Sequence, residues 1–168
     1  MRLGEAHLLR LCMPLALWLL CGCSSEQPTA SALYGYKRYF PDAKVTMWVP
    51  ARARPIWDGH TSVVHVDETT PRWASVKDYK IIVEMIVVDS PQRLQQRERW
   101  AASDWYYQDH PELSAMDVQY GKQMRKDIWN FERTRRLEIN AMIFRSATFE
   151  DDIATAKKMV ESIKPVTE

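Results

Sequence analysis

The stretch Asp58-Gly-His60-Thr-Ser-Val-Val-His65-Val-Asp67-Glu68 gathers two of the chain's four histidines among carboxylates, the side chains that hold zinc or relay protons. Side chains alternate faces along a strand, so His65 and Asp67 share one face while His60 points to the other unless the chain bends. The segment therefore reads as one turn histidine and one edge histidine, and neither a metal nor any other cofactor is expected. Glu84 is the acidic exception in the otherwise apolar YKIIVEMIVV of residues 79–88. Burial would raise its pKa and suit it to acid–base work, whereas an edge position, or a partner such as Lys80 or an arginine, is the plainer reading. Glu150-Asp151-Asp152 falls where a helix dipole favours anions. Gly35, Gly59 and Gly121 are too far apart for a phosphate-cradling loop, and no GxSxG elbow exists. No reaction is named by these residues, and the chain is not expected to be an enzyme.

Aromatic and basic side chains offer recognition instead. Trp105-Tyr106-Tyr107 are consecutive on an expected helix, where successive side chains turn about 100° apart and cannot all face one core. At least one ring should reach the surface as an interface anchor, unless a wide face packed under a loop hides all three. Arg133-Thr134-Arg135-Arg136 could meet a partner's carboxylates or anionic headgroups, or could simply be solvated. The partner-binding candidates are thus Trp105, Tyr106, Tyr107, Arg133 and Arg135.

The elements that deliver such a surface begin with a leader. MRLGEAHLLR carries Arg2 and Arg10 against Glu5, and LCMPLALWLL is uncharged and almost wholly apolar. A spanning helix needs about 20 apolar residues, so this shorter run fits a secretory h-region. Leu20-Cys21-Gly22-Cys23 resembles the bacterial lipoprotein signal, in which the final cysteine is acylated and becomes the new N-terminus. The resemblance implies residues 1–22 as signal peptide, Cys23 as the lipidation site and a palmitate-type anchor; ordinary cleavage after Ala30-Ser31-Ala32 is the competing reading. By the sorting habit of enteric-type lipoproteins, Ser24 rather than Asp favours the outer over the inner membrane, with the domain facing the periplasm.

Removing the signal leaves 146 residues, ample for one core, and turns 23 basic and 22 acidic side chains into 21 of each. That balance argues against nucleic acid as a partner. Cys12 and Cys21 leave with the signal and Cys23 is acylated, so no thiol remains for catalysis, zinc or iron–sulfur chemistry. Residues 23–32 are small and polar, which reads as a lipidated N-terminus and tether, and residues 33–168 read as a single domain.

Within it, residues 44–49 and 61–67 are expected strands, and residues 79–89 a strand covered on both faces in the middle of a sheet. Ser90-Pro91 should open a polar helix running to about His110. Residues 116–120 and 123–132 should be extended, and residues 136–144 should alternate Leu137, Ile139, Ala141 and Ile143 inward against outward Arg136, Glu138 and Asn140. Arg133–Arg135 would be a hairpin tip lacking the usual glycine. A closing helix should start at Thr148, bury Phe149, Ile153, Ala156, Val160 and Ile163, and stop before Pro165. The expected class is α+β: an antiparallel sheet with a mid-chain and a C-terminal helix packed on it, like an α/β/α sandwich.

This order, with WVP ending the first strand, the Ser90-Pro91 helix start, Tyr120-Gly121-Lys122 entering the hairpin and AKKMVESIK in the closing helix, resembles the PsbP-like family, including DcrB-type lipoproteins. The resemblance implies a non-enzymatic accessory or assembly role and carries over no functional residue. Two expectations follow: a membrane-anchored lipoprotein that helps hold or assemble an envelope complex with other envelope proteins, or a lipid-anchored domain that binds a small ligand or envelope polymer.

Overall fold

The computed structural model of the chain describes residues 34–57, 61–66, 79–130 and 133–166. The leader, Cys23, the tether, His60 and Asp67 lie outside the described residues. The elements, in order, are β1 (Gly35–Phe40), β2 (Val45–Pro50), β3 (Ala53–Trp57), β4 (Thr61–Val66), β5 (Ile81–Val88), α1 (Pro91–Ala101), a single 3-10 turn (Trp105–Tyr107), β6 (Ser114–Val118), β7 (Gly121–Trp129), β8 (Arg136–Phe144), α2 (Phe149–Glu161) and β9 (Lys164–Pro165). They form a small sheet ordered β1-β2-β9 and a six-stranded sheet ordered β3-β4-β5-β8-β7-β6. Every pairing is antiparallel. Antiparallel sheets with a mid-chain and a C-terminal helix packed against them are the α+β class expected from the sequence.

Alternation explains the core. Val45, Met47 and Val49 of β2, Ile81, Val83 and Met85 of β5, and Leu137, Ile139, Ala141 and Ile143 of β8 are buried in one cluster with Ala156, Met159 and Val160 of α2 and with Ile163 just after it. Each such large side chain removed from water contributes roughly 1.5–3 kcal/mol, which makes this layer the main source of stability. Strand β5 lies between β4 and β8, in the interior of the sheet as its two-faced apolar pattern requires. Helix α2 is joined to β2 through Ser162, whose hydroxyl accepts from the Trp48 N–H at 2.8 Å and donates to the Met159 carbonyl at 2.7 Å.

Strands β1 and β3 are additional to those expected from the pattern, because neither shows a clean inward alternation: β1 is exposed along all but its last residue. Helix α1 starts as expected, with the Ser90 hydroxyl accepting from the Arg93 N–H at 3.2 Å and Pro91 in the first turn. It ends at Ala101, not near His110. Ser103 and Asp104 bond nearby backbone groups instead of extending the helix: the Ser103 hydroxyl donates to the Trp100 carbonyl at 3.4 Å, and the Asp104 carboxylate accepts from the Tyr106 N–H at 2.8 Å, opening the separate 3-10 turn.

The β7–β8 connection manages without glycine. Arg133 itself takes the left-handed conformation, at φ 57°, and the Asn130 side-chain oxygen accepts from the N–H groups of Thr134 and Arg135 at 2.8 and 3.2 Å. Gly121, by contrast, cannot be replaced cheaply: φ is +156° and a Cβ there would fall on the Ile143 carbonyl oxygen of β8. One further expectation fails on this sheet. Arg136, Glu138 and Asn140 do not face solvent but are buried, because the second face of the sheet is also covered.

Candidate functional site

That second face holds a compact set of charges. Residues two apart on a strand share a face, so Arg125, Asp127 and Trp129 of β7 point the same way, as do Arg136, Glu138 and Asn140 of β8. The register sets Arg125 opposite Asn140, Asp127 opposite Glu138 and Trp129 opposite Arg136, which interleaves two arginines with two carboxylates. Arg125, Asp127, Arg136 and Glu138 are each 3% exposed or less. Asp127 is fully enclosed by donors: its Oδ2 accepts from Arg136 Nη2 at 2.9 Å and from the His110 N–H at 2.8 Å, and its Oδ1 from Arg125 Nε at 3.3 Å. The Asp127 N–H donates in turn to the His110 carbonyl at 2.6 Å, which fastens the segment before β6 to β7.

Glu138 is held differently. Its Oε2 lies 2.9 Å from Arg97 Nη2 of α1, and its Oε1 3.3 Å from Arg136 Nε and 3.4 Å from Arg125 Nη2. These are ion pairs by distance, yet neither carboxylate oxygen has a hydrogen-bond partner of acceptable geometry among the described residues. Burial therefore dominates and pushes the Glu138 carboxyl above its ordinary value; the charges of Arg97, Arg125 and Arg136 oppose this and Asp127 adds to it. Arg136 completes the set with Asp109, at the solvent margin, and with the Gln108 carbonyl at 3.1 Å. Three arginines, Arg97, Arg125 and Arg136, thus meet three carboxylates, Asp109, Asp127 and Glu138.

The cover over these charges is α1 with the 3-10 turn. Helix α1 has no buried residue, so it is attached by Arg97 rather than by an apolar stripe. The guanidinium of Arg125 sits 4.7 Å from the Tyr106 ring centre, and that of Arg97 4.9 Å from the Tyr107 ring, geometry suited to cation–π attraction. Burial, then the charge of Glu138, raises the Tyr106 hydroxyl above its ordinary value, against the nearby Arg125 and Arg97. Trp105 packs on His110 at 4.6 Å between ring centres, and the His110 Nε2 lies 2.8 Å from the Trp105 carbonyl.

No protein-family model matches this chain, and no curated protein matches it. The site must be read from its geometry.

The three consecutive rings are half-buried beside the charged set, Tyr106 and Tyr107 on the arginines and Trp105 on His110, in a 3-10 turn and not on an α-helix surface. Of the two candidate arginines, Arg135 donates from Nη2 to the Asp42 carbonyl at 2.7 Å, tying the hairpin to the β1–β2 turn. Arg133 is exposed and lies 5.7 Å from the Trp129 ring centre. Between them and α1 runs a groove of about 270 Å³ lined by Arg97, Asp109, Trp129, Arg133 and Arg136 among others. His65 and Glu84 both stand on this second face, His65 opposite Ile82 and Glu84 opposite Val63 and Asn140. The His65 ring packs on Tyr79 at 4.2 Å. The Lys80 ammonium donates to the Thr148 hydroxyl at 3.0 Å. In the first turn of α2, Asp152 is buried and accepts from the hydroxyls of Ser146 and Thr148 at 2.7 and 2.9 Å, an internal brace as well as a dipole partner. Among the described residues no three histidine, cysteine, aspartate or glutamate side chains are grouped to hold a metal ion.

Two features were missed by sequence reasoning. The charged set had a signal: Arg125-Lys-Asp127 and Arg136-Leu-Glu138 are basic-x-acidic pairs at strand spacing on adjoining strands, which antiparallel pairing must bring together. The other is an exposed aromatic edge at Tyr34, Tyr36 and Tyr39, whose signal was the interleaving of tyrosine with Lys37 and Arg38.

Proposed function

We propose that this chain is a membrane-anchored envelope lipoprotein, attached through Cys23, whose domain is a non-catalytic accessory or assembly factor binding other envelope proteins. The observation that carries the reading is the distribution of side chains. Large apolar residues exposed among the described residues gather on the free strand edges, Tyr34, Tyr36 and Tyr39 on or beside β1 and Met116 and Tyr120 on or beside β6. The buried charges meanwhile neutralise one another beneath α1. Exposed aromatic edges suit protein contacts, and a closed ionic set suits rigidity. No helix among the described residues is long and apolar enough to cross a membrane, so on this reading attachment rests on the acyl groups.

In-cell crosslinking with mass spectrometry, on wild type and Cys23→Ala, tests the reading. Envelope partners lost with the anchor support it; an unacylated mature N-terminus at Leu33 overturns it. The groove beside Arg97, Trp129, Arg133 and Arg136 favours a second reading, a lipid-anchored domain that binds a small ligand or envelope polymer. Its basic and aromatic lining suits an anionic or glycan group, and a thermal shift on ligand addition that Arg133→Ala abolishes would establish it.

A further inference from the structure

We infer that strand β1 is a membrane-docking edge, which lays the domain against an anionic leaflet instead of leaving it to float on its tether. The inference rests on the anchoring reading above and deepens it.

Four of the eight large apolar side chains exposed among the described residues lie on or beside the edge strands β1 and β3: Tyr34 (69%), Tyr36 (45%), Tyr39 (51%) and Ile56 (50%). Tyr34 is held at the head of β1 by the Ala51 N–H donating to its carbonyl at 3.0 Å. Strand β1 is the free edge of its sheet and β3 the free edge of the other. A groove of about 290 Å³ lined by Arg38, Tyr39, Pro55 and Ile56 joins the two edges. Side chains alternate across an edge strand, so Tyr36 and Arg38 project to one face while Lys37 and Tyr39 project to the other. Set edge-on against a surface, the strand presents rings and cations on both flanks. Tyrosine partitions to the headgroup region by its amphipathic ring, and lysine and arginine there are attracted to anionic lipid.

Chain length selects the occupant. Cys23 precedes Tyr34 by 11 residues, which at full extension span no more than about 40 Å. With acyl chains on Cys23, β1 is the element of the described fold nearest the anchor along the chain, so the tether holds it within about 40 Å of the leaflet. A docked β1–β3 side also has a geometric result. The far edge of the six-stranded sheet, β6, stands five strand spacings from β3, about 24 Å, and so carries Met116 and Tyr120 away from the lipid.

The test uses the mature acylated protein in vesicles. Acylation consumes the Cys23 thiol, so Tyr39→Cys and, on the solvent side of α2, Ala154→Cys each supply one site for an environment-sensitive fluorophore. Vesicles contain phosphatidylethanolamine and phosphatidylglycerol, or phosphatidylcholine alone, each with headgroup-depth nitroxide lipid. Quenching at position 39 at least threefold that at position 154 is expected in the anionic vesicles. The contrast should fall on Lys37→Gln/Arg38→Gln substitution and in phosphatidylcholine. Equal quenching at both positions, with the protein floating with the vesicles and its Cys23 mass showing acylation, overturns the docking inference and leaves the anchoring reading standing. Absence of acyl mass on Cys23 overturns both.

Discussion

Asp127 and Glu138 face each other across β7 and β8, and their surroundings predict unequal responses to the loss of charge. Asp127→Asn keeps the shape but replaces one oxygen by an NH2 group. Both oxygens of Asp127 now accept from donors, Arg136 and the His110 N–H on one and Arg125 on the other, so an amide must turn a donor toward donors. Two or so charge-assisted hydrogen bonds, each about 1.5–3 kcal/mol, are lost or reversed, and a buried arginine is left short of a counter-charge. The expected cost is about 3–5 kcal/mol, in the range measured when one member of a buried ion pair is removed. In a domain of this size that lowers the melting temperature by roughly 10–15 °C. Glu138→Gln should cost at least about 2 kcal/mol less, because its oxygens receive no well-formed hydrogen bond and burial already disfavours its charge. Urea unfolding at pH 7, followed by tryptophan fluorescence in the Cys23→Ala background with m-values compared, measures both. A Glu138→Gln variant as unstable as Asp127→Asn would refute the distinction between hydrogen-bonded and merely proximate charge.

The remaining expectations concern pH, backbone and cover. A carboxyl raised on folding adds stability that is fully present below its unfolded value, near 4.5, and is lost as pH rises through the folded value. The stability of wild type relative to Glu138→Gln should therefore be greatest at low pH and shrink toward neutrality; chemical denaturation across that window should show this trend, and the opposite slope would contradict the raised value. Gly121→Ala should destabilise by at least about 2 kcal/mol, since the positive φ and the Ile143 carbonyl both exclude a methyl group, and an unchanged melting temperature would show the strand can shift there. Arg97→Ala should loosen α1 alone: hydrogen exchange should quicken in residues 91–107 while β5 and β8 keep their protection, because α1 buries no side chain and depends on the Arg97–Glu138 pair.

What the sequence made legible followed the strength of the local signal. The largely apolar run of β5, the strict alternation of β8, the Ser90-Pro91 start of α1 and the amphipathic α2 all appear where periodicity and turn chemistry placed them, although the Thr148 hydroxyl donates to Asp152 and does not cap α2. The exposed edge β1 was not legible, because a strand with solvent on both flanks has no apolar period to announce it. Nor was the charged face. Arg136 and Glu138 alternate like solvent-facing residues, and only the pairing partner β7, with its own Arg125 and Asp127, makes their burial tolerable. The aromatic trio failed as a helix face for a local reason, the helix-ending chemistry of Ser103-Asp104, and none of its rings lines the groove, although Tyr106 and Tyr107 stand on Arg97, which does.

The short strand β9 sets a timetable for the whole domain. Lys164 and Pro165 pair with Thr46 and Val45, and the Val166 N–H donates to the Lys44 carbonyl, so the small sheet is completed by residues far along the chain from β2. Helix α2, just before them, supplies Ala156, Met159 and Val160 to the core, and Ile163 follows it there. A ribosome delivers residues 45–50 long before residues 156–166, and during that interval the inner face of β2 lacks the part of its cover that α2 supplies. Native closure of the small sheet is consequently a long-range event, which must wait until residues 156–166 have emerged.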